Sequence, residues 1–324
     1  MSALARPRPL FIAESHETEL FAADVVAGLT ATPKRIPPKY FYDCEGSRLF
    51  EEITRQPEYY LTRAEMEILR DRRTEIAALI PDGAVLVEFG SGAATKAKIL
   101  LEATVAKIFA YIPVDISGEF LAQEAGELRR DFPTLTVAPV VADFMQPFDL
   151  PQIAADKPRV GFFPGSTIGN LEPHDAAAFL RHAGTLLGHN ALMIVGVDLV
   201  KDPDILNAAY NDKAGVTEAF NLNLLSRMNR ELAADFQCEN FEHHAFYNRE
   251  RRRIEMHLAS LKRQKVRVAG QVIDFRAGDT IHTENSYKYT PGSFSALVRG
   301  SRWMPLQIWT DTDSLFSVHT LIHK

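Results

Sequence analysis

Two glycines placed between acidic residues are the first feature of this 324-residue chain with chemical content. Glu88-Phe89-Gly90-Ser91-Gly92 closes the apolar run Val85-Leu86-Val87, and helical spacing follows at 94–104. Glycine at a strand-to-helix bend lets the backbone approach a ligand closely, because no Cβ intervenes. Asp115 ends the next apolar run, Ile108–Val114, where a carboxylate can accept both hydroxyls of a ribose. Asp143-Phe144 ends a third run, 134–142; its carboxylate suits an adenine amino group and its ring the face of the base. Lys96, early in the helix, can pair with a ligand carboxylate, or it is a solvated surface lysine. The glycine bend, Asp115 and Asp143-Phe144 all fall at carboxyl ends of strands, where open α/β sheets bind ligands. Thr95 stands where a dinucleotide fingerprint carries its third glycine. The bend therefore favours S-adenosylmethionine (SAM) over NAD(P), with a purely structural turn as the third reading.

The elements that position these groups read as follows. Residues 1–17 form a flexible leader with Pro7 and Pro9. Helices are expected at 18–29, 45–55 and 62–79, the last opening on a capping box of Thr62 and Glu65. Strands alternate with helices from 85 to 197, the signature of a parallel α/β sheet. The alternation then stops. One long helix is expected at 204–229, with Gly215 as a candidate break. Short β runs follow at 240–249, 253–262, 265–275 and 279–287. A helix near 292–299 and strands at 303–310 and 315–322 complete the pattern, and these last strands could return to the main sheet as its antiparallel edge.

Composition narrows the function classes. Apolar content of 46% and charged content of 24% fit a globular chain. Lys plus Arg number 36 against 42 acidic residues, without a basic cluster, so a nucleic-acid partner is not expected. Two cysteines, Cys44 and Cys238, cannot build a disulfide framework and fit a reducing cytoplasm. No apolar run reaches the roughly 18–20 residues of a membrane span. His243-His244 reads as a loop or strand edge, and no metal site is expected.

Several longer segments carry a resemblance. Pro37-Pro38-Lys39-Tyr40-Phe41-Tyr42-Asp43, Gly46-Ser47-Arg48-Leu49-Phe50 and Pro57-Glu58-Tyr59-Tyr60-Leu61-Thr62-Arg63-Ala64-Glu65 lie near the start. Gly165-Ser166-Thr167-Ile168-Gly169-Asn170, Gly196-Val197-Asp198-Leu199-Val200-Lys201-Asp202, Phe220-Asn221 and Asn229-Arg230-Glu231-Leu232 follow. Together they resemble the histidine-specific SAM-dependent methyltransferases over nearly the whole chain. The resemblance implies a Rossmann-like class I methyltransferase domain at 62–200 and 288–324. It also implies a second, α+β domain for the amino acid at 18–61 and 201–287. The implied reaction is trimethylation of the α-amino group of L-histidine to hercynine, the first step of ergothioneine biosynthesis. A cytoplasmic monomer acting on a small molecule is expected. Tryptophan-type substrates, or NAD(P)-dependent dehydrogenation, are the alternatives.

The resemblance also implies roles. Asn170 would hold the substrate's amine and carboxylate, Tyr59 and Tyr210 the carboxylate, and Tyr42 would lie near the amine through water. Met256, Glu284 and Ser286 would form the side-chain pocket, with Gly165, Thr217 and Phe220 lining the cleft. Glu88, Gly90, Ser91, Gly92, Lys96, Asp115, Asp143 and Phe144 would bind the cofactor. Residues 284 and 286 sit two apart in a strand pattern, so both face one side, and a carboxylate and a hydroxyl there can reach one imidazole. The blander reading is a solvated strand face. The tyrosines and Met256 could equally be core.

Overall fold

The computed structural model describes residues 10–92 and 94–324, with side chains from residue 18 onward. In chain order, helix α1 (Leu10–Thr30) leads to strand β1 (Lys34–Arg35), then α2 (Cys44–Arg55), α3 (Tyr60–Asp71) and α4 (Arg73–Leu79). The alternating region holds β2 (Ala84–Phe89), α5 (Thr95–Thr104), β3 (Ile108–Asp115), α6 (Gly118–Asp131), β4 (Thr136–Val137) and β5 (Val140–Val141). It continues through β6 (Arg159–Phe163), α7 (Pro173–Leu187) and β7 (Leu192–Asp198). Next come α8 (Pro203–Ala209), α9 (Val216–Glu231), β8 (Phe241–Asn248), β9 (Arg253–Ser260), β10 (Gln264–Val268), β11 (Gln271–Phe275) and β12 (Thr280–Tyr287). Helix α10 (Pro291–Arg299) and strands β13 (Trp303–Thr310) and β14 (Phe316–His323) end the chain.

Two compact units emerge. The larger comprises Ser47–Thr217, Ala245–Glu255 and Asn285–Lys324. Its sheet runs β13-β14-β7-β6-β2-β3-β4, with β5 beside β3. Strand β2 pairs in parallel with β3 on one side and β6 on the other, so the chain reverses direction of travel at β2. The crevice outside the carboxyl ends of strands at such a switch point is the usual ligand site of open α/β sheets. All six residues of β2 are buried, as expected of a parallel strand covered on both faces. Phe89, Phe163 and Phe179 pack below the bend, with Phe163 and Phe179 ring centroids 4.4 Å apart. Strand β14 runs antiparallel to β7, and β13 antiparallel to β14. This is a Rossmann-like sheet with an antiparallel edge, and the closing strands return to it as expected.

The smaller unit comprises Met1–Gly46, Glu218–His244 and Met256–Glu284. Here β1 pairs in parallel with β12, Lys34 opposite Ile281 and Arg35 opposite His282. The β10–β11 hairpin turns at Ala269-Gly270, both with positive φ. Phe236, Phe241 and Phe275 meet edge-on in its core.

The structure departs from the expected elements at definite places. Helix α1 begins at Leu10, inside the expected leader, while residues 1–9 lie outside the described residues. The expected helix 62–79 divides at Arg72 into α3 and α4. Tyr59, not Thr62, caps α3, and Glu65 is fully buried rather than a capping partner. The expected strand 134–142 splits into β4 and β5, with Pro139, which has no N–H to donate, between them. The expected helix 204–229 separates into α8 and α9, with Gly215 at φ +73° just before α9. The run 265–275 is a hairpin rather than one strand. The compact units also divide the chain differently from the expected domains, since 47–61, 201–217, 245–255 and 285–287 fall in the larger unit. Tyr60 and Lys201 both bond Asp198 of β7, which accounts for the placement of two of these segments.

Candidate active site

The glycine bend is held by backbone and by a buried carboxyl. Gly90 and Ser91 both donate their amides to the Val114 carbonyl, at 2.9 and 3.0 Å. Gly90 adopts φ +70°, the left-handed region that disfavours a side chain, and a Cβ there would stand 3.4 Å from the Phe144 ring. A Cβ on Gly92 would meet no described atom within 4 Å. Glu88 and Ser91 turn inward. Both are buried, and the Glu88 carboxyl accepts hydrogen bonds from the Ser91 and Tyr111 hydroxyls. Burial pushes the Glu88 carboxyl up to about 7. These two side chains therefore shape the bend, and the backbone faces the ligand.

The acids at the strand ends are half-buried. Asp115 accepts the Ser117 amide at 2.8 Å, and burial pushes its carboxyl up to about 6. Asp143 accepts the Met145 amide at 2.9 Å. Phe144 stands edge-on to Phe163 and Phe179, at 5.4 and 5.5 Å, which fixes its ring beside Gly90. At the start of α5 the Ala94 amide donates to Glu124 at 2.9 Å. A carboxylate already occupying that helix start opposes a pyrophosphate there. Two acids at the strand ends, an aromatic ring, a glycine bend and an acid-capped helix suit a ribose, an adenine and a cationic sulfur. They do not suit a dinucleotide.

Lys96 is not a solvated surface lysine. Its ammonium pairs with Glu65 at 2.7 Å, and a Cβ on Gly165 would come within 3.2 Å of it. Both Glu65 oxygens accept the Gly165 amide, at 3.0 and 2.9 Å. Glu65 thus ties α3 to α5 and to the loop after β6, where Gly165 and Ser166 both have positive φ. The short 3-10 turn 167–170 follows and ends at Asn170, half-buried. Thr217 donates its amide to Asp212 at 2.8 Å, while its buried hydroxyl has no hydrogen-bond partner among the described residues.

Beyond β7 lies a buried polar network. Asp198 accepts hydrogen bonds from the Tyr60 hydroxyl at 2.9 and 2.8 Å and from Lys201 at 2.6 Å, and it pairs with Lys288 at 2.7 Å. Burial alone would raise the Asp198 carboxyl, but Lys288 and Lys201 hold it below its ordinary range. Burial lowers the Lys201 ammonium to about 8. Lys288 also donates to Ser286 at 2.8 Å and to the Tyr210 hydroxyl at 3.2 Å, and Tyr210 donates to Ser286 at 2.7 Å. The Tyr59 ring meets Tyr210 edge-on at 6.3 Å. The larger unit therefore brings Tyr59, Tyr210 and Ser286 together.

The smaller unit gathers a second set. Tyr42 ends the 3-10 turn 38–41 and meets the Phe220 ring edge-on at 5.9 Å, while Phe41 stacks on Phe220 at 4.5 Å. Asp43 anchors this segment by accepting the Gly46 amide at 2.7 Å and the Asn223 side chain at 2.9 Å, and it pairs with Arg230 at 2.5 Å. Glu284 and Met256 are buried, and Thr283 donates to the Met256 carbonyl at 3.1 Å.

Residues 21–323 match the family described as histidine-specific methyltransferase, SAM-dependent. A histidine N-alpha-methyltransferase of Mycolicibacterium smegmatis is 42% identical over 306 residues, covering 93% of this chain and 94% of that one. One from Mycobacterium tuberculosis is 41% identical, covering 89% and 90%. Ergothioneine biosynthesis protein 1 of Neurospora crassa is 32% identical over 80% of this chain and 30% of its own length. The chain belongs to the histidine-specific SAM-dependent methyltransferases.

Within this methyltransferase, Glu65, Asp198, Lys201 and Lys288 are the structurally central residues that residue-by-residue reading assigned no site role. Glu65, Asp198 and Lys201 lie in motifs that carried the resemblance, which was the available signal. Glu65 was hidden by its resemblance to a helix-capping acid. Lys288 follows Ser286 by two residues, directly after the strand ends, so an extended-chain alternation was the hint.

Proposed function

We propose that this methyltransferase transfers three methyl groups to the α-amino nitrogen of L-histidine, giving hercynine, and so opens ergothioneine biosynthesis. The observation that carries the reading is a buried carboxylate and a buried hydroxyl, Glu284 and Ser286, two residues apart on β12. A site built to bond a polar ring rejects rings that lack the matching atoms.

SAM, when bound, supplies an electrophilic methyl group on a positively charged sulfur. The Gly90–Gly92 backbone, Asp115, Asp143 and Phe144 hold it, and Glu88, Ser91 and Lys96 keep that frame in place. Asn170 takes the substrate's amine and carboxylate, and Tyr59 takes the carboxylate; Tyr210, expected to share that role, gives its proton to Ser286. Glu284 and Ser286 grip the imidazole, with Met256 against the ring and Gly165 and Thr217 at the rim. Rate enhancement rests on positioning of the amine, since the reaction moves charge without creating it. The amine must be unprotonated at each transfer, and Tyr42, through water, carries the proton away. The Phe220 and tyrosine rings favour the growing alkylammonium. We extend the proposal to a cytoplasmic monomer, supported by two free thiols suited to a reducing compartment.

Incubation with SAM and histidine tests the reading by mass. Products bearing one, two and three added methyl groups are expected. Titration of the S-adenosylhomocysteine-loaded enzyme with histidine, tryptophan and tyrosine separates the substrates. Tryptophan binding with no methylated histidine would replace the reading.

A further inference from the structure

Lys288 is the most deeply placed cation of the larger unit, with a side chain of zero exposure. An ammonium has three N–H groups. All three are used: on Asp198 at 2.7 Å, on Ser286 at 2.8 Å and on Tyr210 at 3.2 Å. Tyr210 spends its own proton on Ser286 at 2.7 Å. The Ser286 oxygen therefore receives two hydrogen bonds, which fill both its lone pairs, and keeps one proton to give. Toward a bound ring it can act only as a donor.

We propose that Lys288 is a specificity-determining positioning residue: it fixes Ser286 as a hydrogen-bond donor, so the enzyme accepts histidine only with a neutral imidazole whose ring nitrogen at Ser286 is unprotonated. The inference rests on the proposed histidine reading. An imidazolium carries N–H on both nitrogens and would set one against the Ser286 proton. The positive charges of Lys288 and Lys201 are offset by Asp198 and Glu284, so the exclusion of the cationic ring rests on the Ser286 proton. Glu284, two residues upstream on β12, acts in the opposite sense by accepting a ring N–H, so the two requirements select one tautomer of the neutral ring. The charged and titratable groups around Lys288 are Asp198 on β7, Lys201 just after it, Tyr60 on α3, Tyr210 after α8 and Tyr247 on β8.

Calorimetric titration of the S-adenosylhomocysteine-loaded enzyme at pH 7.5 and pH 5.5 reads the effect. The ligands are L-histidine and 1,2,4-triazolylalanine, whose ring stays neutral through this range. The triazole carries the same α-amine and carboxylate, so it corrects for every other titration, including that of Lys201. Between the two pH values histidine should weaken by about tenfold relative to the triazole, because the imidazole gains its proton near 6.5. In Lys288→Met that contrast should fall below about twofold, since Ser286 is then free to accept a ring N–H. Ser286→Ala provides a second route to the same collapse if the lysine variant fails to fold, with S-adenosylhomocysteine binding reporting folding. Equal pH dependence of the two ligands in the parent enzyme overturns the proposal, as does a tenfold contrast retained in either folded variant. Histidine that does not bind at pH 7.5 overturns the functional reading itself, and this inference with it.

Discussion

At the residue scale, the buried polar atoms of β12 set the most direct expectations. Truncating Glu284 to alanine removes a charged acceptor from a buried position, where such bonds are worth about 1.5–3 kcal/mol. Glu284→Ala should therefore lower kcat/KM for histidine by roughly 10- to 100-fold. S-adenosylhomocysteine affinity, measured by calorimetry, should not change. Unchanged histidine kinetics would remove Glu284 from the imidazole grip. Gly90→Ala acts on the other half of the reaction. The backbone at φ +70° costs a non-glycine residue about 1–2 kcal/mol, and the new methyl faces the Phe144 ring at 3.4 Å. Weaker S-adenosylhomocysteine binding, with histidine recognition intact, is the expected outcome of that titration. Equal cofactor affinity would show that the bend does not need its conformation.

At the scale of elements, two buried acids hold the cofactor frame. Glu65 joins α3, α5 and the loop after β6 through Lys96 and the Gly165 amide. Glu65→Ala leaves a largely buried ammonium and an amide without their acceptor, and thermal melting should show a loss of roughly 3–5 kcal/mol. A loss under about 1 kcal/mol would mean the pair is incidental. Glu88 acts through its proton. Its folded carboxyl titrates near 7, against an ordinary value of 4.5. Between those values the folded protein holds a proton that the unfolded chain has released, so stability falls as pH rises across the window. Glu88→Gln should thus gain on the parent protein as melting is followed from about pH 5 to about pH 8. A melting difference independent of pH would refute the assignment. The strand-and-helix alternation of this frame was legible in the sequence, because each strand reads as an apolar run ending at an acid or a glycine. Glu65 was not, because a helical acid after a threonine has the same spacing whether it caps the helix or reaches across to another loop. The split at Pro139 was foreseeable from proline alone, whereas the break at Arg72 has no marker residue. The Lys288 network draws on residues 60, 198, 201, 210, 286 and 288, and no local pattern can announce an arrangement assembled over such separations.

At the scale of the whole molecule, the edge of the large sheet carries a run of exposed apolar side chains. Met304, Leu306 and Ile308 on β13 are between 43% and 46% exposed. Edge strands of this kind pair with other chains unless charge or irregularity blunts them. Here Pro305 and a shift of register between Pro305 and Gln307 break the ladder. Leu306→Lys should raise the concentration at which light scattering first appears while leaving kcat unchanged. Scattering that starts at the same concentration would show that the irregular edge already suffices.

The pairing of Lys34 with Ile281 also sets a timetable for biosynthesis. As the ribosome extends the polypeptide, helix α1 and strand β1 emerge long before the strand that pairs with β1. They must wait for that pairing until the strand at 280–287 has been made. Folding of the smaller unit is therefore a late event with high contact order, and it is the step at which a chaperone has something to hold.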